Sequence, residues 1–460
     1  MRFLLISLPV LCWGTFFVSA SEPTVPKVRT AMRKATVFFH ESVSTRGGYL
    51  WTYSGDLQLR EGEGRATTAQ AWVQPPGTPA VGGALLDAYE VIRDAYYIKA
   101  AQASAQVLLK GQLPTGGWFY SVTLGAEAGR QHKSTLDDDT TTAAVRFLAR
   151  LDQLTGFKDR ALGTAVRRAL EAMLRVQFPN GAWYMWWDQS NPDRSARNFP
   201  VFRARYPENW PRQWDNKWTG RYFLNDNVTQ NAVRTMLLAH AIYGDRRYLE
   251  AAERAGEFLI LAQMPEPQPA WAQQYNPAME PVWDRKFEPP AITGHESQSA
   301  MDVLLLLHEK TGKKKYLKPM PRALAYLKKS LLPSGQLARF YELKTNKPLY
   351  FYRRGKAYFL TYDDRRVPNH YSFHRESRLA TIEAEYQRLL AGKPKPASKP
   401  PTNAEVARIL TAQDKRGAWV QRGVLRHHKV EPASGIIQCQ TFIDHAGILC
   451  AWLRARAPNP

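Results

Sequence analysis

The sequence predicts a mainly α-helical protein, either an α/α toroid or a superhelix of helical hairpins, with short β segments. Apolar residues recur at spacings of three and four along most of the chain, which is the period of an amphipathic helix. Several predicted helices end in a turn that combines glycine with an aromatic residue, which gives a loose internal repeat. Units that bury a face only against their neighbours must stack into a solenoid or close into a ring.

The helical period is clearest in six segments, at residues 85–109, 142–154, 163–177, 229–243, 249–263 and 299–312. The repeated turns lie at residues 47–51, 116–118, 181–183, 333–336 and 417–419, with a related turn at 267–271. Long alternating patterns are scarce, and short β segments are predicted around residues 339–362. Trp118, Trp183 and Trp271 belong either to the core or to platforms for sugar rings, and we retain them as candidate substrate contacts; we expect Trp419 in the core.

The chain divides into four predicted regions. Residues 1–20 are typical of a signal peptide, because Arg2 precedes an apolar run and Val18-Ser19-Ala20 fits a cleavage site; an N-terminal membrane anchor is the alternative. Residues 21–390 form the main toroid domain, and residues 391–403, rich in proline and lysine, form a linker. Residues 404–460 form a further helical hairpin, packed on the main body or closing its ring. We therefore expect a secreted or periplasmic protein with no membrane span after cleavage.

The net charge is +22, from 63 basic and 41 acidic residues. A protein this basic attracts polyanions, and no zinc-finger or RNP-type sequence points to nucleic acid. We therefore expect an acidic polysaccharide as partner, no nucleic acid, and a monomer. Cys439 and Cys450 remain after signal cleavage, and they form either one disulfide or two buried apolar thiols.

Clusters of carboxylates and amides precede two of the predicted helices. Asp137, Asp138 and Asp139 come before one helix, and Asn225-Asp226-Asn227 come before another. A helix cap accounts for one residue in each cluster, but three adjacent acids repel one another, and a bound cation would relieve that repulsion. Neighbouring helix starts in a toroid face the same axial cleft, and Ca²⁺ prefers oxygen ligands. The candidate ligands are Asp137, Asp139, Asn225 and Asp226.

Several arginines lie in segments shaped by aromatic and proline residues. Arg285 lies between Trp283 and Phe287, and Arg339 follows the turn at 333–336. Arg353 and Arg354 lie in the predicted β region. Each arginine is either a solvated surface residue or a clamp for a carboxylate, since the planar guanidinium can pair with two oxygens at once. His295 could act as a base, although a polar contact is the simpler role.

Six blocks in order, within residues 70–365, resemble the pectate lyases of polysaccharide lyase family 10. They are WVQPPGTPAVGGALLDAYE (72–90), STLDDDTTTAAVRFLARL (134–151), NGAWYMWW (180–187), FLNDN (223–227), WAQQYNPAMEPVWDRKFEPPAITGHES (271–297) and ARFYELKTNKPLYF (338–351). The resemblance implies an α/α toroid-like fold and cleavage of polygalacturonate by calcium-assisted anti β-elimination. It further implies an arginine base that takes the proton at C5, with calcium and other arginines neutralising the adjoining carboxylate.

The resemblance also implies roles for particular residues. Asp137 and Asp226 match the acids of their blocks, Arg285 best matches the base, and Arg339 with Arg353 best match the arginines that bind substrate; Arg353 or Arg354 is the alternative base. The sequence departs from the family pattern at Asp138-Asp139, where an asparagine and a small residue are more usual. It also departs at Arg221, where the family tends to have histidine. These departures point to a cleft for a modified or different uronate polymer.

Two other functions fit the same residues. A glycoside hydrolase would use paired carboxylates as acid and base, with Asp137 or Asp139 acting together with Glu288. A non-catalytic uronan-binding protein would keep the positive groove but perform no chemistry.

Overall fold

The computed structural model describes residues 22–125, 132–190 and 194–456, so the predicted signal peptide lies outside the described residues. The α-helices are α1 Val25–Phe38, α2 Thr78–Ile92, α3 Ala95–Gly111, α4 Thr140–Leu154, α5 Arg160–Arg175, α6 Val228–Tyr243, α7 Arg246–Ala262, α8 Gly294–Thr311, α9 Met320–Lys329, α10 Leu379–Leu390, α11 Asn403–Thr411 and α12 Cys439–Arg456. Within these described ranges, no helix is both long enough and apolar enough to cross a membrane.

The β-strands are short, and they lie in the connections between helices. They are β1 Thr52–Ser54, β2 Arg60–Glu61, β3 Gln70–Trp72, β4 Ser121–Thr123, β5 Ser134–Thr135, β6 Trp186–Trp187, β7 Tyr222–Phe223, β8 Gln274–Tyr275, β9 Ala291–Thr293, β10 Leu337–Ala338, β11 Phe340–Glu342, β12 Pro348–Arg354, β13 Ala357–Thr361, β14 His374–Arg375 and β15 Ile436–Gln438. The short β segments predicted around residues 339–362 are confirmed, since β11, β12 and β13 form a sheet with β9.

The helices form an α/α toroid, as the sequence predicts. The even-numbered helices α12, α2, α4, α6 and α8 pack against one another in that order, and odd-numbered helices pack beside them. A strand precedes each even-numbered helix. In the pairs β3–β4, β5–β6 and β7–β8, that strand pairs antiparallel with the strand that follows the next odd-numbered helix. The N-terminal ends of these even-numbered helices therefore lie at one end of the toroid.

The two ends of the described chain meet. Helix α12 packs against α1 and α2, and β15 pairs antiparallel with β1, with Thr52 opposite Gln438. The Nε2 of Gln413 donates to the Ala31 carbonyl at 3.0 Å. The segment 393–400 is exposed and has no regular structure, and α11 begins shortly after it.

A repeated glutamine contact sets the spacing between outer helices. Its Nε2 donates both to the carbonyl of a turn glycine four residues later and to a carbonyl of the next outer helix. For Gln177 these distances are 2.9 Å to Gly181 and 2.9 Å to Ala251; Gln112 and Gln413 make the equivalent pairs. Gly181 has a φ of +94°, and a Cβ there would lie 2.0 Å from the Arg254 carbonyl oxygen. Only glycine allows this close approach.

The tryptophans of these turns are core residues. Trp118, Trp183 and Trp271 are each 0% exposed. Their Nε1 atoms donate to carbonyls near the ends of the preceding helices, at 2.8, 2.9 and 2.7 Å. The prediction that these three side chains contact substrate is therefore wrong, because a buried indole cannot stack on a sugar ring. Trp419 makes the same kind of contact, with Ile409 at 2.9 Å, and its predicted place in the core is confirmed.

Both cysteines of helix α12 are buried free thiols. Cys439 and Cys450 are eleven residues apart on one helix, which places them roughly 16 Å apart along its axis. A disulfide between them is therefore excluded, and the alternative of two buried apolar side chains holds.

We expect Trp183→Phe to lower the free energy of unfolding by about 1–3 kcal/mol, because the Met173 carbonyl loses its buried donor. Denaturant unfolding measures the change. Trp218→Phe is the control, since Trp218 is 40% exposed and its loss should change stability little. Equal losses in both variants would show that the indole hydrogen bond does not stabilise the turn.

Candidate active site

Two matching turns begin helices α4 and α6. Residues Asp137–Asp139 follow β5, and residues Asn225–Asn227 follow β7. In each turn the second and third residues have positive φ, with 45° and 63° at Asp138 and Asp139, and 48° and 57° at Asp226 and Asn227. Aspartate and asparagine tolerate this left-handed region better than most residues. The two turns therefore present equivalent positions side by side at one end of the toroid.

Three carboxylates from these turns form a cluster. Asp137, Asp138 and Asp226 each offer one oxygen, and these oxygens all lie within 4.8 Å of one another. The Tyr120 hydroxyl donates to Asp137, and the Gln74 amide donates to Asp138 at 2.7 Å. The Oδ1 atom of Asp137 is buried, and it has no hydrogen-bond partner among the described residues. A buried acceptor of this kind costs free energy unless a ligand or water satisfies it.

The carboxylates of the cluster bind protons more tightly than usual. Burial, followed by the charges of Asp137 and Glu63, raises the pKa of Asp138 to about 6. Burial and the neighbouring Asp137 and Asp138 raise the pKa of Asp226 well above its usual value, and burial also raises the pKa of Asp137. The raised pKa values show that too little positive charge lies nearby to compensate the three carboxylates. Their oxygen atoms are the kind of ligand that a hard cation such as Ca²⁺ prefers.

Two predicted ligands are engaged elsewhere, and one residue of the cluster was missed. Asp139 accepts from Arg146 Nη2 at 2.5 Å and from Thr142 Oγ1 at 2.6 Å, so it stabilises the start of α4. Asn225 accepts from Gln273 at 2.8 Å and donates to Asp284 at 3.3 Å. Asp138 takes the place given to Asp139. The sequence could have identified Asp138 as a candidate ligand, because Asp138 and Asp226 are the second residues of two matching turns.

Arg285 lies beside the cluster in a fixed arrangement. Its Nε and Nη2 donate to the two carboxylate oxygens of Glu288 at 2.5 and 2.6 Å. Glu288 is fully buried, and its Oε1 also accepts from the Tyr371 hydroxyl at 2.5 Å. The positive charge of Arg285 opposes the rise in the pKa of Asp137 and Asp226. The guanidinium therefore lies within electrostatic reach of both turns.

The same arrangement keeps Arg285 protonated. Burial alone would lower the pKa of Arg285, but the bound Glu288 carboxylate, with Tyr371 and Asp226 nearby, raises it above its usual value. The pKa of Glu288 is lowered despite burial, because Arg285 and Tyr371 donate to it. In this state Arg285 is a cation, whereas the predicted role as a base requires it to lose a proton.

A second guanidinium group also lies against the ring of Tyr371. Arg339 is 7% exposed, and its Cζ lies 4.1 Å from the centroid of the Tyr371 ring. Its Nη2 is 3.9 Å from Glu296 Oε1, which is too long for a hydrogen bond. Among the described residues, neither oxygen of Glu296 nor the Nε of Arg339 has a hydrogen-bond partner, although all are buried. Such unsatisfied groups leave hydrogen bonds for a polar ligand or water.

Arg375 extends this basic group, and sequence reasoning missed it. Its Nη2 lies 3.0 Å from His295 Nδ1, and its pKa is lowered by burial and then by Arg339. Burial also lowers the pKa of His295. Arg375 lies beyond all six sequence blocks and reaches the site only because β14 pairs with β10, which places Arg375 opposite Leu337.

The remaining predicted arginines lie on an exposed hairpin. Arg353 and Arg354 end β12. Arg353 lies 6.0 Å from the Tyr358 ring, and that ring packs 5.1 Å from Phe287, so Arg353 borders the Arg285 loop. Arg354 lies over Tyr352 instead. The structure thus brings Asp137, Asp226, Arg285 and Arg339 together, with Arg353 at the rim.

Comparison with known proteins gives a partial family match. Residues 121–199 match the family model of pectic acid lyase, a segment that contains Asp137 and Asp138 but neither Asp226 nor Arg285. No curated protein matches this sequence. The family match supports a polysaccharide lyase.

Several solved structures are similar to this chain. A D-mannose isomerase is 14% identical, with a TM-score of 0.51, and the match covers 95% of this chain and 100% of that one. A family 10 polysaccharide lyase from Cellvibrio cellulosa is 19% identical, with a TM-score of 0.45, covering 62% of this chain and 90% of that one. An Asp-to-Ala variant of the Cellvibrio lyase with trigalacturonic acid is 16% identical, with a TM-score of 0.46, covering 69% and 99%. The isomerase likeness shows the α/α fold.

We expect Ca²⁺ to raise the free energy of unfolding, by about 2.7 kcal/mol at a hundredfold excess over its Kd. Asp226→Asn should abolish this gain, since Asp226 belongs to the carboxylate cluster. Asp139→Asn is the matched control, because Asp139 pairs with Arg146; it should lower the basal stability but keep the gain. Calorimetric melting with Ca²⁺ or chelator measures both. A gain kept by Asp226→Asn and lost by Asp139→Asn would contradict the assignment.

Proposed function

We propose that this protein is a secreted or periplasmic lyase that cleaves polygalacturonate, or a related uronate polymer, by β-elimination. The observation that supports this most is the meeting of three carboxylates within 4.8 Å of one another with the guanidinium of Arg285 close by. Arg339, which lies against Tyr371, and Arg375 add positive charge nearby. The pectic acid lyase match over residues 121–199 supports the same class.

The proposed chemistry requires positive charge near the carboxylate of the reacting sugar. Removal of the proton beside that carboxylate produces an enolate-like dianion, which preorganised cations stabilise. Asp137, Asp138 and Asp226 would hold Ca²⁺, which supplies Lewis-acid stabilisation of negative charge when bound. Arg339 has a buried Nε with no hydrogen bond among the described residues, and it can orient a sugar carboxylate.

Arg285 is the proposed base, and its surroundings define the condition for that role. The Glu288 pair holds the guanidinium protonated. Arg285 can accept a substrate proton only where nearby positive charge lowers its pKa, and Arg339, Arg375 and a cation at the acid cluster are the sources of that charge. If these do not suffice, Arg285 binds and orients the substrate carboxylate while another group takes the proton.

A glycoside hydrolase on the same scaffold is the second candidate. The pKa of Asp138, raised to about 6 by burial and nearby carboxylates, is typical of a general acid. The pairs first considered, Asp137 or Asp139 with Glu288, fit less well. Asp139 is tied to Arg146, and Glu288 stays ionised because it is bound by Arg285 and Tyr371. A non-catalytic binding protein is the third candidate.

We expect the mature protein to release unsaturated oligouronates from polygalacturonate, seen as a rise in ultraviolet absorbance that chelator abolishes. Mass spectrometry separates the candidates, because elimination products are lighter than hydrolysis products by one water. Arg285→Ala should reduce kcat/KM by at least about a hundredfold if Arg285 acts in the transition state. Saturated products would favour the hydrolase, and binding without any product would favour the non-catalytic protein.

Glu288→Gln tests the role of Arg285 as base. Loss of the carboxylate removes the partner that raises the pKa of Arg285. The basic form should then occur at lower pH, and the pH optimum of the reaction should move down by about 1–3 units. Glu280→Gln is the control, since it removes a carboxylate that pairs with a different arginine, Arg205, in a more exposed position. A lower kcat with an unchanged optimum would show that Arg285 positions substrate without accepting its proton.

A further inference from the structure

A pocket of about 650 Å³ lies among the connections that precede helices α4 and α6, and its volume is within the roughly 300–1,000 Å³ of typical ligand sites. Aromatic side chains form part of its wall, and the described residues that line it include four cations and one acid, Asp188. The cations are Lys133, Arg175, Arg194 and Arg221. None of these pocket residues was among the predicted substrate contacts. The excess of positive charge favours an anionic ligand.

The pocket is joined to the acid cluster through short contacts. Trp186 lies in β6, opposite Thr135 of β5, and Asp137 follows two residues later. The Tyr120 hydroxyl donates to Asp137 and lies near the Trp186 side chain. Arg221 directly precedes β7, the strand that leads to Asp226. These contacts place the pocket next to the acid cluster, within reach of a further sugar of the same chain.

The aromatic wall is open to a ligand. Trp218 is 40% exposed, and its ring lies 6.3 Å from that of Trp186. Tyr184 is half-buried and lines the same pocket. A pyranose ring has a face of C–H groups that packs well on an aromatic plane, since the contact removes apolar area from water. These exposed or partly exposed rings can contact a sugar ring, whereas the buried Trp118, Trp183 and Trp271 cannot.

Arg221 is held in place but not neutralised. Its Nη1 donates to the carbonyls of Trp218 and Gly220 at 3.1 and 2.7 Å, and its Cζ lies 5.8 Å from the Tyr184 ring. Over the described ranges, it forms no ion pair with a carboxylate. A guanidinium fixed by carbonyls keeps its charge and further N–H donors available, so little side-chain entropy is lost when a carboxylate binds.

We propose that this pocket is a subsite for a further uronate residue of the polymer, with its ring against Trp218 and Trp186 and its carboxylate at Arg221. The inference rests on the proposed uronate substrate and specifies how the chain extends beyond the acid cluster. Because Arg221 binds the sugar through its carboxylate, the subsite should bind a free uronic acid more tightly than its methyl ester.

The test measures binding of saturated hexagalacturonate by calorimetry in chelator, where no turnover occurs. Arg221→Gln should weaken binding about tenfold, as expected for loss of a charge-assisted hydrogen bond. Trp218→Ala should weaken it by a similar factor, through loss of the ring contact. The fully methyl-esterified hexamer should bind more weakly than the acid to the parent protein, and Arg221→Gln should reduce that difference.

Matched controls remove the same groups elsewhere. Arg160→Gln loses one charge from the exposed start of α5, and Phe157→Ala loses a ring that is 52% exposed. Both should bind the hexamer within about twofold of the parent protein, since neither lies near the pocket. Equal weakening by Arg160→Gln would show that net charge alone attracts the polymer, and it would overturn the subsite. Unchanged binding by Arg221→Gln and Trp218→Ala, with melting temperatures intact, would also overturn it.

The outcomes separate this inference from the lyase proposal. Specific loss of hexamer binding in a protein that never forms unsaturated product would refute the lyase and keep the subsite. Unsaturated product with normal hexamer binding by both pocket variants would refute the subsite and keep the lyase.

Discussion

The repulsion among the carboxylates of Asp137, Asp138 and Asp226 is the constraint on which the site depends. Partial desolvation weakens the screening of these charges by water, although Asp138 itself is exposed, and the raised pKa values follow from this and from the neighbouring charges. Stability of the ionised cluster requires nearby positive charge. Arg285 provides some of it, and Glu288 fixes its position. The same shortage of positive charge creates an affinity for a hard cation and for an acid substrate bound through it.

The scaffold makes this concentration of charge possible. Even-numbered helices begin at one end of the toroid, each after a short strand, so the loops that carry polar groups meet there. Repeated contacts such as Gln177 with Gly181 and Ala251 fix the outer helices relative to one another. A buried core that is rich in alanine and leucine and contains the tryptophans of the turns supports the loops. The free energy that folds the ring therefore also holds like charges together.

Sequence patterns predicted the helical ring, the short strands and the acids with Arg285 and Arg339, because helix period and residue type are local properties. They failed for Trp118, Trp183 and Trp271, since a glycine turn leads equally well into the core or toward solvent. Only the hydrogen bond from each indole to a helix carbonyl decides between them. The prediction for Asp139 was wrong for a similar reason, because Arg146 lies two helical turns further along α4 and pairs with it.

The sequence by itself determined which residue types were present, their order and the helical period, which left an α/α toroid and a superhelix of helical hairpins both open. Tertiary structure alone decided which of these groups face one another. Arg375 reaches Arg339 and His295 through a strand pairing. Arg221 and Trp218, from the connection between α5 and α6, share a pocket with Lys133, from the connection between α3 and α4. Contacts of this kind join residues that are far apart in the sequence. They depend on strand register and helix packing, and local sequence patterns carry no information about either.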